Sequence, residues 1–454
     1  MVKVIATYGP SLYDSKLLAQ VCQECDVIRQ NISHQEPDEA VRTFNLLRKY
    51  NRAIMIDTSG PEVRLHTQEK ITLKKGDTIE MGAGNSGARV WLDQPLHKHL
   101  EVGDSVYLDD GMCELRVADK RGEAIIFKAV DDVCLRNRMA VNLRGRSFTF
   151  PILKDSDIQV LRAVSPSFIA LSYTRTYKDV REARKYTRAK IIAKIENKEG
   201  ISNIEEILAE ADGVMIARGD LGIEVPAEEV PILQKRIVEL ANNYAKPSVV
   251  ATQVLYSMVD KPVPTRAEVS DIANAVLDGT DAILLSNETA VGKYPLQAIR
   301  QIKKVGVRVA PYVRSKVPDD LRNTAIDPIS DMLSKTLRTI ALNKQITKIV
   351  VITRSGYSAR LISRFKIHKP VIAITTEPDV ALEMSLLYNI IPVRWTKKPE
   401  RHIIPRAALL CLERGLLDEE DTVVFAAAVR TKASGVTNTI EVHKISDMMS
   451  SLGI

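Results

Sequence analysis

Short apolar runs recur along the chain, and the segments between them place apolar residues at the three-to-four spacing of amphipathic helices. Strands that alternate with helices predict a parallel sheet, and eight such strands are typical of a closed (β/α)8 barrel. We therefore predict a TIM-type barrel built from these runs. The eight runs are Val2–Thr7, Val27–Ser33, Ala53–Thr58, Ser167–Thr174, Lys190–Glu196, Gly213–Ala217, Ser248–Thr252 and Ala282–Ser286.

Polar side chains fall at or just beyond the C-terminal end of each run. The carboxyl ends of the strands form one face of a barrel, and barrel enzymes build their active sites at that face. A purely structural role would not concentrate polar groups at the same end of every strand. The sequence therefore predicts an active site drawn from Thr7, Arg29, Asn31, Ser33, Asp57, Thr58, Ser172, Arg175, Lys194, Glu196, Arg218, Asp220, Thr252 and Glu288.

The segment Lys190–Asp220 carries a dense group of charges. Its strand–helix–strand pattern is typical of a right-handed βαβ unit with parallel strands. Lys194 and Glu196 are two residues apart on the first strand and so point the same way, and the second strand runs into Arg218 and Asp220. Two carboxylates beside a lysine and an arginine suit a hard cation that holds an anionic oxygen. This stretch alone leaves open the alternative of a surface salt-bridge cluster.

The interval from about residue 70 to residue 149 breaks the alternation of strands and helices. Short β-rich pieces between Gly/Asp turns predict a small all-β domain, inserted after the third barrel strand and placed over the barrel mouth as a lid. Within it, Gly82–Gly87 fits the G-x-G-x-x-G dinucleotide pattern, but a strand is expected to follow instead of the required helix, so we interpret it as a hairpin loop. The predicted strands are Lys70–Leu73, Thr78–Glu80, Arg89–Leu92, Ser105–Leu108, Cys113–Val117 and Ala124–Val130.

A separate α/β domain is expected from about residue 325, where a helix over Ile329–Leu342 leads into three apolar strands. These strands are Lys348–Thr353, Val371–Thr375 and Thr422–Ala427. The expected bounds are 1–64 and 145–322 for the barrel, 65–144 for the inserted lid domain and 323–454 for the C-terminal domain. The first βα turn of the C-terminal domain, Thr353–Ser358, suits either a phosphate pocket or an ordinary hydroxyl-rich helix cap.

The composition argues against several classes of protein. The net charge of +7 is spread along the 454 residues, and aromatic residues make up only 5%, whereas nucleic-acid binders cluster basic charge and interleave aromatics. Five irregularly placed cysteines are typical of a reducing compartment. A strand begins at once without a signal sequence, and no apolar run reaches the length of a membrane span. We expect a cytoplasmic enzyme with a small anionic substrate and neither a nucleic-acid nor a membrane partner.

Six motifs, in order along nearly the whole chain, resemble those of the pyruvate kinase family, and the domain insertion is similar too. Any one of them could arise by chance, but six in register could not. The motifs are Arg29–His34 (RQNISH), Asp57–Arg64 (DTSGPEVR), Lys190–Glu199 (KIIAKIENKE), Ala211–Pro226 (ADGVMIARGDLGIEVP), Ala251–Met258 (ATQVLYSM) and Pro264–Pro295 (PTRAEVSDIANAVLDGTDAILLSNETAVGKYP).

The resemblance implies that the chain transfers the phosphoryl group of phosphoenolpyruvate to ADP, which gives pyruvate and ATP. Glu196 and Asp220 match the ligands of Mg²⁺ or Mn²⁺. Lys194 and Arg29 match the cations that hold the transferring phosphoryl group, and Lys194 would also stabilise the enolate left behind. Thr252 matches the hydroxyl on the face where the enolate is protonated. The substrate-binding positions that the resemblance implies are Ala217, Arg218, Gly219, Asp220 and Thr252.

The resemblance also implies a K⁺ site, a nucleotide site and an effector site. Glu62 resembles the potassium-dependent branch of the family, since a lysine at that position would replace the cation. The matching K⁺ positions are Asn31, Ser33, Asp57 and Thr58. The matching positions around ADP are Pro10, Asn31, His34 and Arg64, with Asp109 or Asp110 as the lid aspartate. The positions that match the effector phosphate loop are Thr353, Arg354, Ser355, Gly356, Tyr357 and Ser358.

Some positions depart from the family's pattern. Ser59 stands where the family usually has lysine, and Asn287 replaces a glycine. Arg138 lies where the family carries a lid lysine that contacts the nucleotide phosphates, and we treat it as the candidate replacement. The companion effector loop, Thr431–Thr437, lacks the usual aromatic residue and arginine, which disfavours a bulky sugar bisphosphate and leaves another phosphorylated small-molecule effector open. The family expectation for assembly is a homotetramer.

Two alternatives compete with this interpretation. A barrel lyase or aldolase that forms a pyruvate enolate on Mg²⁺ would share the two carboxylates, but it would not need the K⁺ site, the lid domain or Arg29. A non-catalytic regulatory or nucleic-acid-binding relative would not need Lys194, Glu196, Asp220 and Thr252 intact, and it would favour a basic patch.

Overall fold

The computed structural model describes residues 1–33, 35–61, 63–84, 87–108, 113–143, 150–315, 326–397, 399, 401–427 and 438–451. The chain opens with parallel strands joined by helices, and the first helix is capped by the carboxylate of Asp14, which accepts from the backbone N–H groups of Lys16 and Leu17. The elements of this opening are β1 (Lys3–Thr7), α1 (Ser15–Glu24), β2 (Val27–Asn31), α2 (Pro37–Arg48) and β3 (Ala53–Asp57), with a 3-10 helix at Pro10–Leu12.

A β domain follows β3, and seven of its strands close into a second, smaller barrel in the order β10-β6-β7-β4-β12-β8-β9. A buried apolar core fills it, and β11 and β5 form a separate antiparallel pair. Its elements are β4 (Val63–Thr67), β5 (Ile71–Leu73), β6 (Thr78–Ala83), β7 (Val90–Leu92), β8 (Ser105–Leu108), β9 (Cys113–Arg121), β10 (Ala124–Ala129), β11 (Val133–Leu135) and β12 (Met139–Leu143), with a 3-10 helix at Leu96–Lys98.

The glycine-rich segment Gly82–Gly87 leads into strand β7, so the helix that a dinucleotide site requires is absent from this described part of the chain. The expectation of a hairpin there is wrong, because β6 and β7 pair in parallel and a tight hairpin joins antiparallel strands. Asn85 and Ser86 lie outside the described residues.

The chain then returns to the first barrel and completes it. Neighbouring strands pair in parallel around a closed ring in the order β1-β17-β16-β15-β14-β13-β3-β2, which confirms the predicted (β/α)8 barrel with its insertion after the third strand. The returning strands are β13 (Phe168–Leu171), β14 (Lys190–Ile195), β15 (Gly213–Ala217), β16 (Ser248–Ala251) and β17 (Ala282–Leu285).

Alternate residues of the barrel strands pack on opposite sides, as the two-residue period of a strand requires. Ile5, Met55 and Ile192 belong to an apolar cluster inside the ring, whereas Val4 and Ile191 pack outward. The helices over this outer layer are α3 (Asp155–Ala163), α4 (Tyr177–Arg184), α5 (Lys198–Ser202), α6 (Ile204–Glu210), α7 (Arg218–Glu224), α8 (Val230–Asn243), α9 (Arg266–Asp278), α10 (Asn287–Ala290) and α11 (Pro295–Val309), with 3-10 helices at Tyr256–Val259 and Ala310–Tyr312.

The last part of the chain forms the predicted α/β domain around a five-stranded sheet in the order β20-β19-β18-β21-β22, whose edge strand β22 is antiparallel to β21. Apolar clusters cover both faces of the sheet. The elements are α12 (Pro328–Ala341), β18 (Lys348–Ile352), α13 (Tyr357–Ser363), β19 (Val371–Thr375), α14 (Pro378–Glu383), a 3-10 helix at Met384–Leu386, β20 (Ile390–Arg394), α15 (Ile403–Glu413), β21 (Thr422–Ala427), β22 (Thr439–Lys444) and α16 (Ile445–Ser451).

The C-terminal domain closes the base of the barrel, which is the end where the strands begin. Leu386 is fully buried and packs with the apolar residues inside the ring. The buried carboxylate of Asp281, just before β17, accepts from Ser363 Oγ at 3.2 Å and from the Tyr388 backbone N–H at 3.0 Å, and it pairs with Lys366 Nζ at 2.7 Å. The opposite end of the barrel is left for the predicted active site.

No helix among the described residues combines the length and the apolar character that crossing a membrane requires.

Candidate active site

The predicted polar residues meet at the C-terminal mouth of the barrel, beginning with a bridge across the first three strands. Arg29, in the middle of β2, donates from Nη1 to Thr7 Oγ1 at 3.1 Å on β1. Its Nε donates to Asp57 Oδ2 at 2.7 Å on β3. The Asp57 side chain is only 2% exposed, so this ion pair is buried. The side chains of Lys194 and Glu196, in the stretch for which a surface cluster was the alternative, are likewise only 13% and 1% exposed, so that alternative is wrong for them.

Lys194 extends the same network to β13 and β14. Its Nζ lies 3.2 Å from Asp57 Oδ1, 2.9 Å from Ser172 Oγ and 2.8 Å from Glu196 Oε1. Ser172 Oγ in turn donates to the Thr58 carbonyl oxygen at 2.7 Å. A continuous chain of contacts thus joins Thr7 on β1 to Glu196 beyond β14, and we call Thr7, Arg29, Asp57, Ser172, Lys194 and Glu196 the mouth cluster.

The charges in the mouth cluster fix one another's protonation states. Burial by itself would raise the pKa of Asp57, but Arg29 and Lys194 outweigh burial and hold that pKa below its usual range. Burial would likewise lower the pKa of Lys194, but Asp57, Glu196 and Asp220 outweigh it and raise that pKa. Lys194 is therefore a permanent cation at any ordinary pH.

Glu196 has one carboxylate oxygen in use and one available. Its Oε2 accepts from the Tyr173 backbone N–H at 2.6 Å. Its Oε1 is buried and lacks a hydrogen-bond partner among the described residues, because Lys194 is close enough for an ion pair but not aligned for a hydrogen bond. A buried carboxylate oxygen without a donor suits a hard cation.

The carboxylates at the mouth do not by themselves complete a metal site. Among the described residues, no three His, Cys, Asp or Glu side chains are grouped so as to hold a metal ion. Asp220, in the first turn of α7, lies close enough to raise the pKa of Lys194. A divalent ion held by Glu196 and Asp220 would thus need further oxygens from water or substrate, which is typical of Mg²⁺.

The loops after β15 and β16 are tied together beside the mouth cluster. The Gly219 backbone N–H donates to Thr252 Oγ1 at 2.7 Å. The Arg218 side chain donates from Nη2 to the carbonyl oxygens of Thr252 and Gln253, at 2.9 and 3.2 Å, while its Nη1 pairs with Asp271 at 2.7 Å. Arg218 therefore positions the loop after β16.

Thr252 and Gln253 both adopt left-handed backbone conformations, with φ of 65° and 54°. Such conformations are unfavourable for non-glycine residues, especially a β-branched one, and they concentrate at functional sites. The anchoring by Arg218 explains how the loop keeps this geometry. The strain is an independent indication that the position of the Thr252 hydroxyl matters.

The residues of the predicted K⁺ site lie at neighbouring strand ends, since Asn31 and Asp57 are paired in register. Asn31 Oδ1 accepts from the Ser33 backbone N–H at 3.0 Å, and Thr58 Oγ1 donates to the Ala170 carbonyl oxygen at 3.3 Å. Glu62 lies outside the described residues. A cation here would have to share the Asp57 carboxylate with Arg29 and Lys194.

Of the predicted nucleotide positions, Pro10, Asn31 and Arg64 are described, whereas His34, Asp109 and Asp110 lie outside the described residues. Arg64 lies on β4 and donates from Nη1 to the Arg138 carbonyl oxygen at 2.9 Å. Arg138 is exposed, with φ of 66°. The structure thus brings Arg64 and the candidate lysine replacement together.

Some predicted residues have structural partners instead. The guanidinium group of Arg175 contacts Asp179 and the Phe150 carbonyl oxygen. Glu288 is buried and accepts from the backbone N–H groups of Leu255 and Ser286. The Ser59 backbone N–H donates to Asp157 Oδ1 at 3.1 Å. Tyr173 and Asp271 were missed, and Ser172 was predicted only as one of the polar strand-end residues.

The predicted effector loop precedes the seven-residue helix α13, which begins at Tyr357. Arg354 and Ser355 are exposed, whereas Gly356 is buried with φ of 75°. The space beside Gly356 is limited, because an added Cβ would lie 3.3 Å from Met384 Cγ. The companion loop, 431–437, lies outside the described residues.

Comparisons with known proteins give a consistent result. The family model described as pyruvate kinase, barrel domain matches residues 1–299, and the model described as pyruvate kinase, alpha/beta domain matches residues 331–443. The chain is 34% identical over 478 aligned positions to a pyruvate kinase of Geobacillus stearothermophilus, with 99% of the chain and 81% of the relative covered. Pyruvate kinases of Staphylococcus saprophyticus and Bacillus licheniformis are each 33% identical, with the same coverage of both chains.

Proposed function

The chain belongs to the pyruvate kinase family, which transfers the phosphoryl group of phosphoenolpyruvate to ADP, and from this premise we propose how its own residues carry out that reaction. The observation that carries the proposal is the mouth cluster, in which two fixed cations, Arg29 and Lys194, are held by buried carboxylates at the carboxyl ends of the strands. Phosphoryl transfer depends mainly on positioning and on neutralising charge, and such a cluster supplies both.

Glu196 and Asp220 would hold a divalent cation, Mg²⁺ or Mn²⁺, together with oxygens of the substrate. The buried Glu196 Oε1 without a hydrogen-bond partner among the described residues supports this assignment. When bound, the ion would neutralise negative charge on the phosphate and carboxylate of phosphoenolpyruvate. Tyr173 orients Glu196 through its backbone N–H, so the carboxylate is held in place before any ion arrives.

Lys194 and Arg29 would stabilise the negative charge that develops during transfer. The raised pKa of Lys194 keeps its ammonium group charged, so it acts as an electrostatic stabiliser of phosphoryl oxygens and of the enolate oxygen, not as an acid. Asp57 and Ser172 hold the ammonium group in position. Arg29 is fixed by Asp57 and Thr7, which leaves its remaining N–H donors for the phosphoryl group.

Protonation of the enolate at its terminal carbon would complete the reaction and give pyruvate. Thr252 is the proposed hydroxyl on that face, and the backbone of Ala217, Arg218 and Gly219, beside Asp220, would bind the substrate carboxylate. The hydrogen bond from the Gly219 N–H to Thr252 Oγ1 supports a shared role, because it links the carboxylate-binding loop to the hydroxyl. A carboxylate could take over this N–H and free the hydroxyl.

We also propose a K⁺ site formed by Asn31, Ser33, Asp57 and Thr58, on the strength of their placement at adjacent strand ends. The predicted ADP site would use Pro10, Asn31 and Arg64 with His34 and Asp110, and Arg138 would stand in for the family's lid lysine. The hydrogen bond from Arg64 to the Arg138 backbone carbonyl oxygen supports the nearness of the two residues. The domain bounds 1–64 and 145–322, 65–144 and 323–454, a homotetramer, a phosphorylated effector at Thr353–Ser358 and a cytoplasmic location remain proposals of the same kind.

The enolate step has a direct test that does not require net turnover. Pyruvate in D₂O, with Mg²⁺, K⁺ and ATP, is expected to exchange its methyl protons in the presence of the enzyme, because the reverse reaction must remove one of them. Proton NMR measures the loss of the methyl signal. Active enzyme that leaves the methyl protons unexchanged would contradict an enolate intermediate protonated on the protein.

A further inference from the structure

A cavity of about 240 Å³ lies between the base of the barrel and the C-terminal domain, at the opposite end of the barrel from the mouth cluster. Lys190 and Asp212 line it where β14 and β15 begin. Arg360 of α13 and Glu383 of α14 line it from the other domain. We call this cavity the seam pocket. None of the residues that line it has a role in the proposed phosphoryl transfer.

The charges around the seam pocket are paired, with one exception. Asp212 Oδ2 accepts from Arg184 Nη2 at 2.8 Å and from the Ile191 backbone N–H at 3.0 Å. Lys190 Nζ lies 3.7 Å from Glu383 Oε2. Within the described part of the chain, Arg360 has neither an ion pair nor a hydrogen bond, and its Nε is buried. The structure thus leaves the Arg360 guanidinium group at the cavity without an ion pair or a hydrogen bond to a described residue, although burial lowers its pKa and the Asp212 carboxylate only partly offsets that shift.

A guanidinium group with a buried N–H that lacks an acceptor is unfavourable, and a ligand that supplies an anionic oxygen removes this cost. The guanidinium group presents a planar fork of donors that matches a carboxylate or a phosphate. Its carbon lies 5.5 Å from the centroid of the Tyr357 ring, and this stacking holds the fork in place. The feature therefore has the properties of an anion-binding group that is already positioned.

The rest of the pocket limits what the anion can be. Phe168, Val380 and Met384 supply an apolar wall, so a bound molecule needs an apolar body. The carboxylates of Asp212 and Glu383 line the same space and would repel a second negative charge. The volume lies below the roughly 300 Å³ at which ordinary ligand pockets begin, so a nucleotide does not fit.

We infer that the seam pocket binds a small organic monocarboxylate, with its carboxylate on Arg360 and its apolar body against Phe168, Val380 and Met384. Binding would bridge the two domains at the base of β14 and β15, whose other ends lead to Lys194, Glu196 and Asp220. A further consequence, which rests on the proposed function, is a change in the KM for phosphoenolpyruvate when the pocket is occupied.

Methyl NMR of the full chain with ¹³C-labelled methionine methyl groups tests this binding, because Met384 lies in the wall of the pocket. The probe is 4-methylpentanoate, and the uncharged 4-methylpentanamide has nearly the same shape. We expect saturable shifts of the Met384 signal with the carboxylate and at least about tenfold weaker binding of the amide. The variant Met384→Leu assigns the signal. No shift with the carboxylate at about 10 mM would overturn the inference.

Two variants and one control locate the site. Arg360→Met should weaken 4-methylpentanoate at least about tenfold, because it removes the charged donor. Val380→Phe should also abolish binding by filling the cavity, and Val380 is partly exposed, so the fold should accept the larger ring. The control is Arg354→Met. Arg354 is exposed in the segment before α13 and does not line the pocket, so this variant should bind the probe like the parent chain. Equal binding by the Arg360→Met, Val380→Phe and parent chains would refute the assignment.

Further outcomes distinguish the seam pocket from the exposed loop, and this inference from the proposed function. If the Arg354→Met change, and not Arg360→Met, removes the binding of 4-methylpentanoate, the ligand site is the exposed loop and the seam pocket is excluded. The binding measurement does not require turnover. If the chain is inactive but binds the probe through Arg360, only the proposed function is contradicted. If the chain is active but shows no binding that depends on Arg360, only this inference is contradicted.

Discussion

Among single residues, Lys194 and Arg29 of the mouth cluster are cations that their neighbours hold in fixed positions. Lys194 lies within 3.2 Å of Asp57, Ser172 and Glu196, and its raised pKa keeps it protonated. Arg29 is held equally closely by Asp57 and Thr7. Since both cations are positioned before any substrate arrives, little reorganisation is needed during reaction.

The change Lys194→Met should leave the chain folded and lower kcat by about 10²–10³-fold or more, because one oriented cation on developing charge is typically worth a few kcal/mol. Steady-state pyruvate release measures the loss, and circular dichroism checks the fold. Lys198→Met is the matched control, since Lys198 follows the same strand but is exposed. A Lys194→Met enzyme with nearly parental kcat would remove Lys194 from the mechanism.

The change Glu196→Gln should raise the Mg²⁺ concentration for half-maximal activity by at least about tenfold, because it removes an anionic ligand and keeps the shape. A titration of activity against Mg²⁺ gives the value, with Glu199→Gln as the control, since Glu199 is exposed on the next helix. An unchanged Mg²⁺ requirement in Glu196→Gln would contradict the assignment of Glu196 as a ligand of the ion.

The residue types of the mouth cluster were predictable, because each stands at the end of an apolar run. Their partners were not. The bridge from Lys194 to Ser172 joins positions 22 residues apart, and the bond to Asp57 joins positions 137 apart. Nothing in the local sequence around Tyr173 indicates that its backbone N–H orients Glu196, because every residue but proline carries that donor.

At the scale of elements, the loop after β16 holds the proposed proton-transfer residue in a strained turn. Thr252 and Gln253 are both left-handed, and the Arg218 guanidinium group binds their carbonyl oxygens. Asp271 on α9 anchors Arg218, so the loop's geometry depends on the two successive βα units that begin with β15 and β16. The hydroxyl of Thr252 is thereby placed against the Gly219 N–H.

The change Thr252→Val should slow methyl-proton exchange of pyruvate more than it slows phosphoryl transfer, because it removes the hydroxyl and keeps the side-chain volume. Proton exchange by NMR and rapid-quench measurement of ATP formation separate the two steps. Thr252→Ser retains the hydroxyl and should retain most of the exchange rate. An equal loss in both steps for Thr252→Val would refute the protonation role.

The barrel strands were predictable because each is a continuous apolar run buried on both sides, which is the pattern typical of strands in a parallel sheet covered by helices. Strands β4, β11, β12, β20 and β22 were not predicted. β20 contains Pro392, which argues against a strand, and β22 (TIEVHK) mixes charges along a half-exposed edge. β11 is only three residues long, so no periodicity can develop.

At the scale of the whole molecule, the seam between the barrel and the C-terminal domain concentrates buried charge. Lys246, in the loop before β16, donates to the Ala211 carbonyl oxygen at 2.6 Å. Burial, with smaller contributions from Arg360, Arg184 and Lys190, lowers the pKa of Lys246 to about 8, while Asp212 opposes the shift. The folded protein therefore binds this proton less well than the unfolded chain does.

The free energy of unfolding should rise with pH between about 8 and about 10.5 through Lys246, because in that range the unfolded chain holds the proton and the folded protein does not. Lys246→Met should lose this rise, which amounts to at most about 3 kcal/mol. Urea unfolding across the pH range compares the two, with Lys16→Met as an exposed control. Parallel curves for parent and Lys246→Met would contradict the lowered pKa.

The architecture as a whole was predictable, since the alternation of elements specifies a barrel and its interruption marks the insertion. The seam was not, because no local pattern shows that Leu386 packs inside the barrel or that Asp281 binds Ser363, Lys366 and Tyr388. Such contacts depend on how complete domains dock, and each joins positions more than 80 residues apart.

Pyruvate release from phosphoenolpyruvate and ADP with Mg²⁺, measured with and without K⁺, tests the proposed reaction most directly. We predict turnover that requires both ions, because the mouth cluster would use Mg²⁺ at Glu196 and Asp220 and K⁺ beside Asn31 and Asp57. Turnover without any response to K⁺ would contradict the proposed K⁺ site, but it would still agree with the proposed reaction. Folded protein that binds phosphoenolpyruvate and releases no pyruvate in either buffer would contradict the proposed phosphoryl transfer.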